Sequence, residues 1–226
     1  MSEDELLSHF IALHFPHKMS SLFRSMLDSA ELVQYLAELV GPNVKCTQSM
    51  LFVKKSGKLG QAWHQDKHSI PTRVRSLTCV LIALDDATIE NGCLWIIPCS
   101  YKAGVLYPVH STVIAEYDGA PKAFNYPYSP DEALPIEVSK GSVVLFHGYL
   151  LHSSLKNRSK EQYRRALVNN YMNAESLLPW DCGGQIPTTR DNRDIVMVCG
   201  RNPYNWKGIE DVLKPYIRGE GNPLKS

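Results

Sequence analysis

The sequence predicts a mainly β protein, an antiparallel jelly roll with flanking helices in a single domain. Three observations predict it. After Gly41-Pro42 the chain breaks into short β-forming runs: Cys46 to Lys54, Ser76 to Leu84, Cys93 to Ile97, Leu134 to Val138, Val143 to Phe146 and Arg165 to Tyr171. Gly, Pro, Asn and Asp separate these runs, and no helix-period segments alternate with them as βαβ units require. At 226 residues, 44% hydrophobic and 21% charged, the chain has the size and composition of one globular domain with a substantial core.

Taken in order, the first part, residues 1–42, reads as helical. Leu6, Leu7, Phe10, Ile11, Leu13 and Phe15 come first, followed by Leu22, Phe23, Met26 and Leu27, and then by Leu32, Tyr35, Leu36 and Leu39. The last set follows i, i+3, i+4, i+7 spacing; Asp28 or Ser29 can cap it and Gly41-Pro42 stops it. These helices are expected on the outside of a sheet. His9, His14 and His17 lie among them, spaced five and three apart with Pro16 between, a pattern that suits ordinary histidines better than a shared metal site. The β core spans residues 46–172. Inside it, Tyr101 to Ala133 carries four Pro and many Tyr without periodicity, as a functional loop such as a substrate lid would. The extension 177–226 is rich in turn formers and aromatics and is expected to end in a short helix from Ile209 to Arg218.

Charge and cysteines exclude several classes. With 24 Lys+Arg against 23 Asp+Glu the formal charge is +1, and Lys54-Lys55 and Arg164-Arg165 are too short to make a nucleic-acid-binding stripe. Six Cys with no C-x-x-C are not a disulfide framework and read as small buried hydrophobes in a reducing compartment. The acidic start, Met1-Ser-Glu-Asp-Glu, lacks the pattern of a secretory signal, and the run Cys79 to Leu84 is too short to span a bilayer. The final residues are not a peroxisomal address, so the expected compartment is the cytoplasm. Oligomeric state is left open.

Chemistry concentrates in Ala62-Trp-His64-Gln-Asp66-Lys-His68. On a strand, residues i and i+2 share a face, so His64 and Asp66 would lie roughly 6.5 Å apart and could converge on one ion. A third ligand is needed. Gly141 to Asn157 offers two histidines; His147 directly follows a buried-looking run and suits a wall position, whereas His152 opens a polar segment where sites are built and is preferred. His68 is at most a pocket-wall residue, because Pro71 breaks the helix that would place it beside His64. Two His and one carboxylate are the facial triad of non-haem Fe(II) oxygenases, with open positions for a bidentate 2-oxo acid and O2. An oxo acid with a distal carboxylate needs a cation, for which an Arg fork is suited. Arg164 and Arg165 both qualify, and as strand neighbours only one can face the pocket.

Together, Gln48-Ser-Met-Leu-Phe-Val-Lys54, Trp63-His-Gln-Asp66, Glu90-Asn-Gly-Cys-Leu-Trp-Ile-Ile-Pro98, His152-Ser-Ser-Leu-Lys-Asn157 and Tyr163-Arg-Arg-Ala166 resemble the phytanoyl-CoA dioxygenase family of Fe(II)- and 2-oxoglutarate-dependent oxygenases. The resemblance implies a double-stranded β-helix core of the jelly-roll, cupin-like kind. It also implies His64, Asp66 and His152 as iron ligands and Arg164 as the partner of 2-oxoglutarate, with Met50, Lys54 and Ser154 also contacting the co-substrate. Asp66 is intact, unlike the carboxylate lost in the related halogenases. Two departures stand out: Pro98-Cys-Ser-Tyr101 replaces the usual Pro-Gly-Ser-His, and Ile82 takes the place of an aromatic.

The expected function is therefore hydroxylation of a small molecule with conversion of 2-oxoglutarate and O2 to succinate and CO2. Desaturation or ring formation would use the same centre. A catalytically silent sensor or scaffold binding metal and 2-oxoglutarate is the alternative, and a Zn hydrolase would leave the Arg without a role.

Overall fold

The structure, a computed structural model, describes residues 10–111, 116–177, 195–208 and 214–219. In chain order its strands are β1 (Phe10–His14), β2 (Val44–Lys54), β3 (Gln61–His64), β4 (Thr78–Ala83), β5 (Leu94–Ile96), β6 (Val109–His110) and β7 (Lys122–Ala123). They continue with β8 (Leu134–Ile136), β9 (Val143–His147), β10 (His152–Ser154), β11 (Arg164–Asn173), β12 (Val196–Cys199) and β13 (Tyr216–Gly219). The larger sheet has the order β13-β1-β2-β11-β4-β9, with β12 also pairing β2, and the smaller has β3-β10-β5-β8. All named strand pairs are antiparallel. This is the predicted jelly roll, and each of the six predicted runs contains a strand.

Register fixes which side chains face the interior. Asn170 pairs with Cys79 and Gln48, Val168 with Leu81 and Met50, and Ala166 with Ala83 and Phe52; Arg164 pairs with Lys54, and Phe146 with Cys79. Strand alternation puts all of these on one face, turned toward the smaller sheet. The opposite face carries Val80, Ile82, Leu145 and, past a bulge at Asn170/Tyr171, Tyr171. There the helical part packs, as expected. Its helices are α1 (Ser21–Ser25) and α2 (Ala30–Val40), and Leu27, Leu32 and Leu36 are buried against that face. Tyr35 and Leu39, read as part of the same stripe, stay exposed.

The first expected helix is corrected. Phe10–His14 is a strand, held between β2 and β13, and Phe15 leaves it with φ 58. Pro16 disfavours helix at Phe15, and strand pairing to distant segments supplies the backbone partners instead. Likewise Tyr216–Gly219 is a strand where a helix was expected; the other part of that expectation, residues 209–213, lies outside the described residues, as do residues 1–9 and Cys182. The five described cysteines are free thiols. No helix among the described residues is long and apolar enough to cross a membrane.

Part of Tyr101 to Ala133 packs behind the smaller sheet, away from the face that carries His64 and His152. Tyr107 and Ala123 are buried with Ile97 and Leu151, and Trp63, Tyr126 and Tyr128 pack on them. Trp63 and Leu151 alternate with His64 and His152, so this layer covers the back of the smaller sheet.

Candidate metal centre and co-substrate pocket

His64 ends β3, His152 opens β10, and the two are register partners with ring centroids 4.1 Å apart. Each Nδ1 donates to the carbonyl two residues earlier, His64 to Ala62 O at 2.7 Å and His152 to Leu150 O at 3.0 Å. With the hydrogen on Nδ1, each Nε2 keeps its lone pair for a metal. Asp66 Oδ1 lies 3.4 Å from His64 Nε2 and 3.5 Å from His152 Nε2. Ligand atoms of these three residues fall within 4.8 Å of one another, the one such group of His, Cys, Asp or Glu among the described residues.

The local backbone differs from the expectation of a continuous strand. Asp66 opens a helical turn, α3 (Asp66–Ser69), but Gln65 between the two ligands is extended (φ −126, ψ 123), which keeps them on the same side. Gln65 is also an anchor that the motif did not reveal. Its amide nitrogen donates to Val105 O and Tyr149 O at 3.0 and 2.8 Å, and its oxygen accepts from Tyr107 N at 2.9 Å. Two further polar contacts were missed, because they join distant strands. The Cys79 thiol donates to Asp66 Oδ2 at 2.9 Å, and the Asn170 amide donates to Cys79 Sγ at 3.2 Å.

Electrostatics suit ligation. Burial, reinforced by His64, lowers His152 to about 4, so its ring is neutral near pH 7. Burial opposes ionisation of Asp66, but attraction to the His152 and His64 rings when they carry a second proton, and the hydrogen bond from Cys79, hold its carboxyl well below the usual range. Phe146 packs on the His152 ring at 4.9 Å between centroids. The rejected histidines lie elsewhere: His147 faces Arg75 O and Tyr149 N at 3.2 and 3.1 Å, and His68 is exposed. His14 stacks on Tyr216 and His17 Nδ1 meets Ser49 Oγ at 2.6 Å, away from the triad.

The structure also separates the two arginines. Arg165 is on the outer side, bonded to Asp85 at 2.7 and 2.9 Å, whereas Arg164 is buried inside. Arg164 joins Leu81, Ala83, Leu94, Ile136 and Val144 around a cavity between the sheets. Its Nε donates to Gly92 O at 3.2 Å, and no carboxylate pairs with it among the described residues. Beside it, Lys54 Nζ donates to Leu155 O at 2.7 Å, Ser154 Oγ at 3.0 Å and Gly92 O at 3.4 Å. An ammonium has three hydrogens, so the protein itself uses them all. Burial, reinforced by the neighbouring Arg164 guanidinium, holds Lys54 well below the usual lysine range, and its bonds tie β2 to the turn at Gly92 and to β10. Ser154 Oγ accepts from Lys54 and from Gln61 N at 3.3 Å, which leaves its own hydrogen to donate. Met50 lies on the same inner face, packed against the cluster of Leu81, Ala83, Ala166 and Val168.

The chain has relatives among known proteins. Residues 2–166 match the family model described as phytanoyl-CoA dioxygenase (PhyH). The chain belongs to the phytanoyl-CoA dioxygenase family. It is 33% identical over 150 residues to phytanoyl-CoA dioxygenase 1 of Oryza sativa subsp. japonica, covering 65% of this chain and 51% of that protein. It spans about half the length of the curated relatives it matches first, 51% to 54%. Among solved structures, the non-heme monooxygenase ThoJ superposes with a TM-score of 0.68 at 17% identity, covering 89% of this chain and 69% of that one. The alpha ketoglutarate dependent carbocyclase SnoK superposes with a TM-score of 0.66 at 20% identity, covering 84% and 76%. At these identities the likeness establishes the fold.

Two pieces of the family's pattern acquire a physical meaning here. In the Asn-Gly turn, Asn91 accepts from Thr88 N and donates to Asp86 O, each at 2.8 Å, while Gly92 has φ +81 and presents its carbonyl to Lys54 and Arg164. Where the family commonly has Gly after Pro98, Cys99 takes the left-handed conformation itself, with φ 61.

Proposed function

We propose that the protein is an Fe(II)- and 2-oxoglutarate-dependent dioxygenase that hydroxylates an unactivated C–H bond of a small-molecule substrate and releases succinate and CO2. The observation that carries this reading is one interior that holds both a His64–Asp66–His152 donor set and, on β11, a buried arginine with no carboxylate partner among the described residues. Membership of the phytanoyl-CoA dioxygenase family supports it.

The residues fit Fe(II): two imidazoles with Nε2 available and one carboxylate oxygen between them would make a three-ligand face, leaving positions for an oxo acid and O2. When bound, Fe(II) would supply O2 activation coupled to oxidative decarboxylation of the oxo acid. The protein's own part is positioning. His64 and His152 are oriented by their Nδ1 bonds to strand carbonyls, and Asp66 brings one negative charge, so a loaded centre stays net positive. Arg164 would grip the distal carboxylate of 2-oxoglutarate as a bidentate fork, with Lys54 holding Ser154 in place and Ser154 donating a hydrogen bond. Leu81, Leu94, Ile136 and Val144 would enclose the methylenes and exclude water. The relatives' name makes an acyl-CoA one substrate class to screen.

Anaerobic addition of Fe(II) and 2-oxoglutarate should produce a visible charge-transfer band, and admitting O2 with substrate should yield succinate. His64→Ala, Asp66→Ala and His152→Ala should each lose the band and tight metal binding. Arg164→Ala should still bind metal but need about 10- to 100-fold more 2-oxoglutarate, the scale of one lost charge-assisted pair. Full turnover in Asp66→Ala would sink the assignment.

A further inference from the structure

A carboxylate has two oxygens, and this protein treats those of Asp66 differently. Oδ1 is turned toward both imidazoles, at 3.4 and 3.5 Å. Oδ2 instead accepts from the thiol of Cys79, a fully buried residue of β4, and Cys79 Sγ accepts in turn from Asn170 Nδ2 on β11. Cys79 and Asn170 are register partners, so the pleat of the larger sheet fixes their spacing. Asn170 is fully buried too, and its Oδ1 has no hydrogen-bond partner among the described residues, so the bond its nitrogen makes is what ties this amide into the interior.

We propose that Cys79 is a positioning residue for the metal centre, whose thiol, held by Asn170, occupies Asp66 Oδ2 so that Asp66 offers the metal a single oxygen. The inference rests on the triad reading given above. Its chemical consequence is a coordination count. Three protein atoms, two oxygens of an oxo acid and one O2 fill six positions, whereas a chelating carboxylate would take one that the co-substrate or O2 needs. Replacing Cys79 with another small buried side chain would fill the space but leave Oδ2 without its donor, and Asp66 free to turn. Ordinary core packing does not predict that outcome.

Two measurements on the purified, metal-free chain and its Co(II)-loaded form test this. The first is the infrared S–H stretch. A thiol bonded to a carboxylate absorbs at lower frequency than a free one, so one of the S–H bands of the wild type should move to higher frequency in Asp66→Asn and disappear in Cys79→Ser. The second is Co(II) affinity by calorimetry. Cys79→Ala should weaken it about 10-fold or more, the usual scale for loss of a partner of a ligating group, while Cys79→Ser, which keeps an O–H donor, should recover most of it. S–H bands indifferent to Asp66→Asn would overturn the proposal without any Cys79 variant having to fold. Co(II) binding equal to wild type in a folded Cys79→Ala would overturn it as well. Failure of the wild type to bind any divalent metal would instead defeat the triad reading, and the S–H band would still decide whether the bond exists.

Discussion

As a proposed ligand, His152 would carry two demands at once: a neutral ring and a buried place in the interior. Burial answers both. Its ring takes up a proton only near pH 4, against 6.5 in an unfolded chain. Between those values the unfolded chain binds more protons than the folded one, so acid favours unfolding. Metal-free protein should therefore lose up to about 3 kcal/mol as the pH falls from 6.5 to 4, read as a falling urea midpoint, and His152→Leu should flatten that slope. At this scale the cluster that the structure brings together was legible in the sequence as a candidate site. His64, Asp66, His152 and Arg164 carry chemistry that few other residue patterns share, whereas Cys79 and Asn170 look like any small buried strand residues until the fold brings Asp66 against them. Lys54 was identified as a contact, but its saturation by Leu155, Ser154 and Gly92 depends on three segments far apart in the chain.

Elements were legible where their pattern is local. The α2 stripe with Ser29 before it and Gly41 after it, and the apolar runs of β2, β4 and β9, declare themselves. β1 and β13 do not, because each is a strand through its pairing with the other and with β2. Turns hold the elements to the site, and two substitutions probe them in opposite directions. A Cβ at Gly92 would fall 2.4 Å from Leu155 O at φ +81, so Gly92→Ala should cost about 3 kcal/mol or more and weaken 2-oxoglutarate binding, since the carbonyl holding Arg164 must move. Cys99 holds φ 61 with a side chain, and Cys99→Gly should raise stability by up to about 1 kcal/mol in a thermal melt.

Over the whole molecule, the long insertion and the last strand are tied together in the interior. Arg218 of β13 meets Asp118 at 2.7 Å, with side chains 9% and 3% exposed, and its guanidinium lies over Phe52 on the inner face. Removing one partner strands the other charge, so Asp118→Ala should cost about 3–5 kcal/mol by denaturant unfolding, and replacing both residues with apolar ones should restore most of it. The Lys54–Arg164 end of the pocket is built differently, with two basic side chains side by side and no carboxylate of the described residues paired to Arg164. Such a pocket is an ion exchanger in miniature. Sulfate or phosphate in a buffer should compete for it, so the apparent affinity for 2-oxoglutarate should fall as either salt is raised and be regained in a buffer of bulky monovalent anions at the same ionic strength. The choice of buffer would then decide whether the protein looks avid or indifferent toward 2-oxoglutarate.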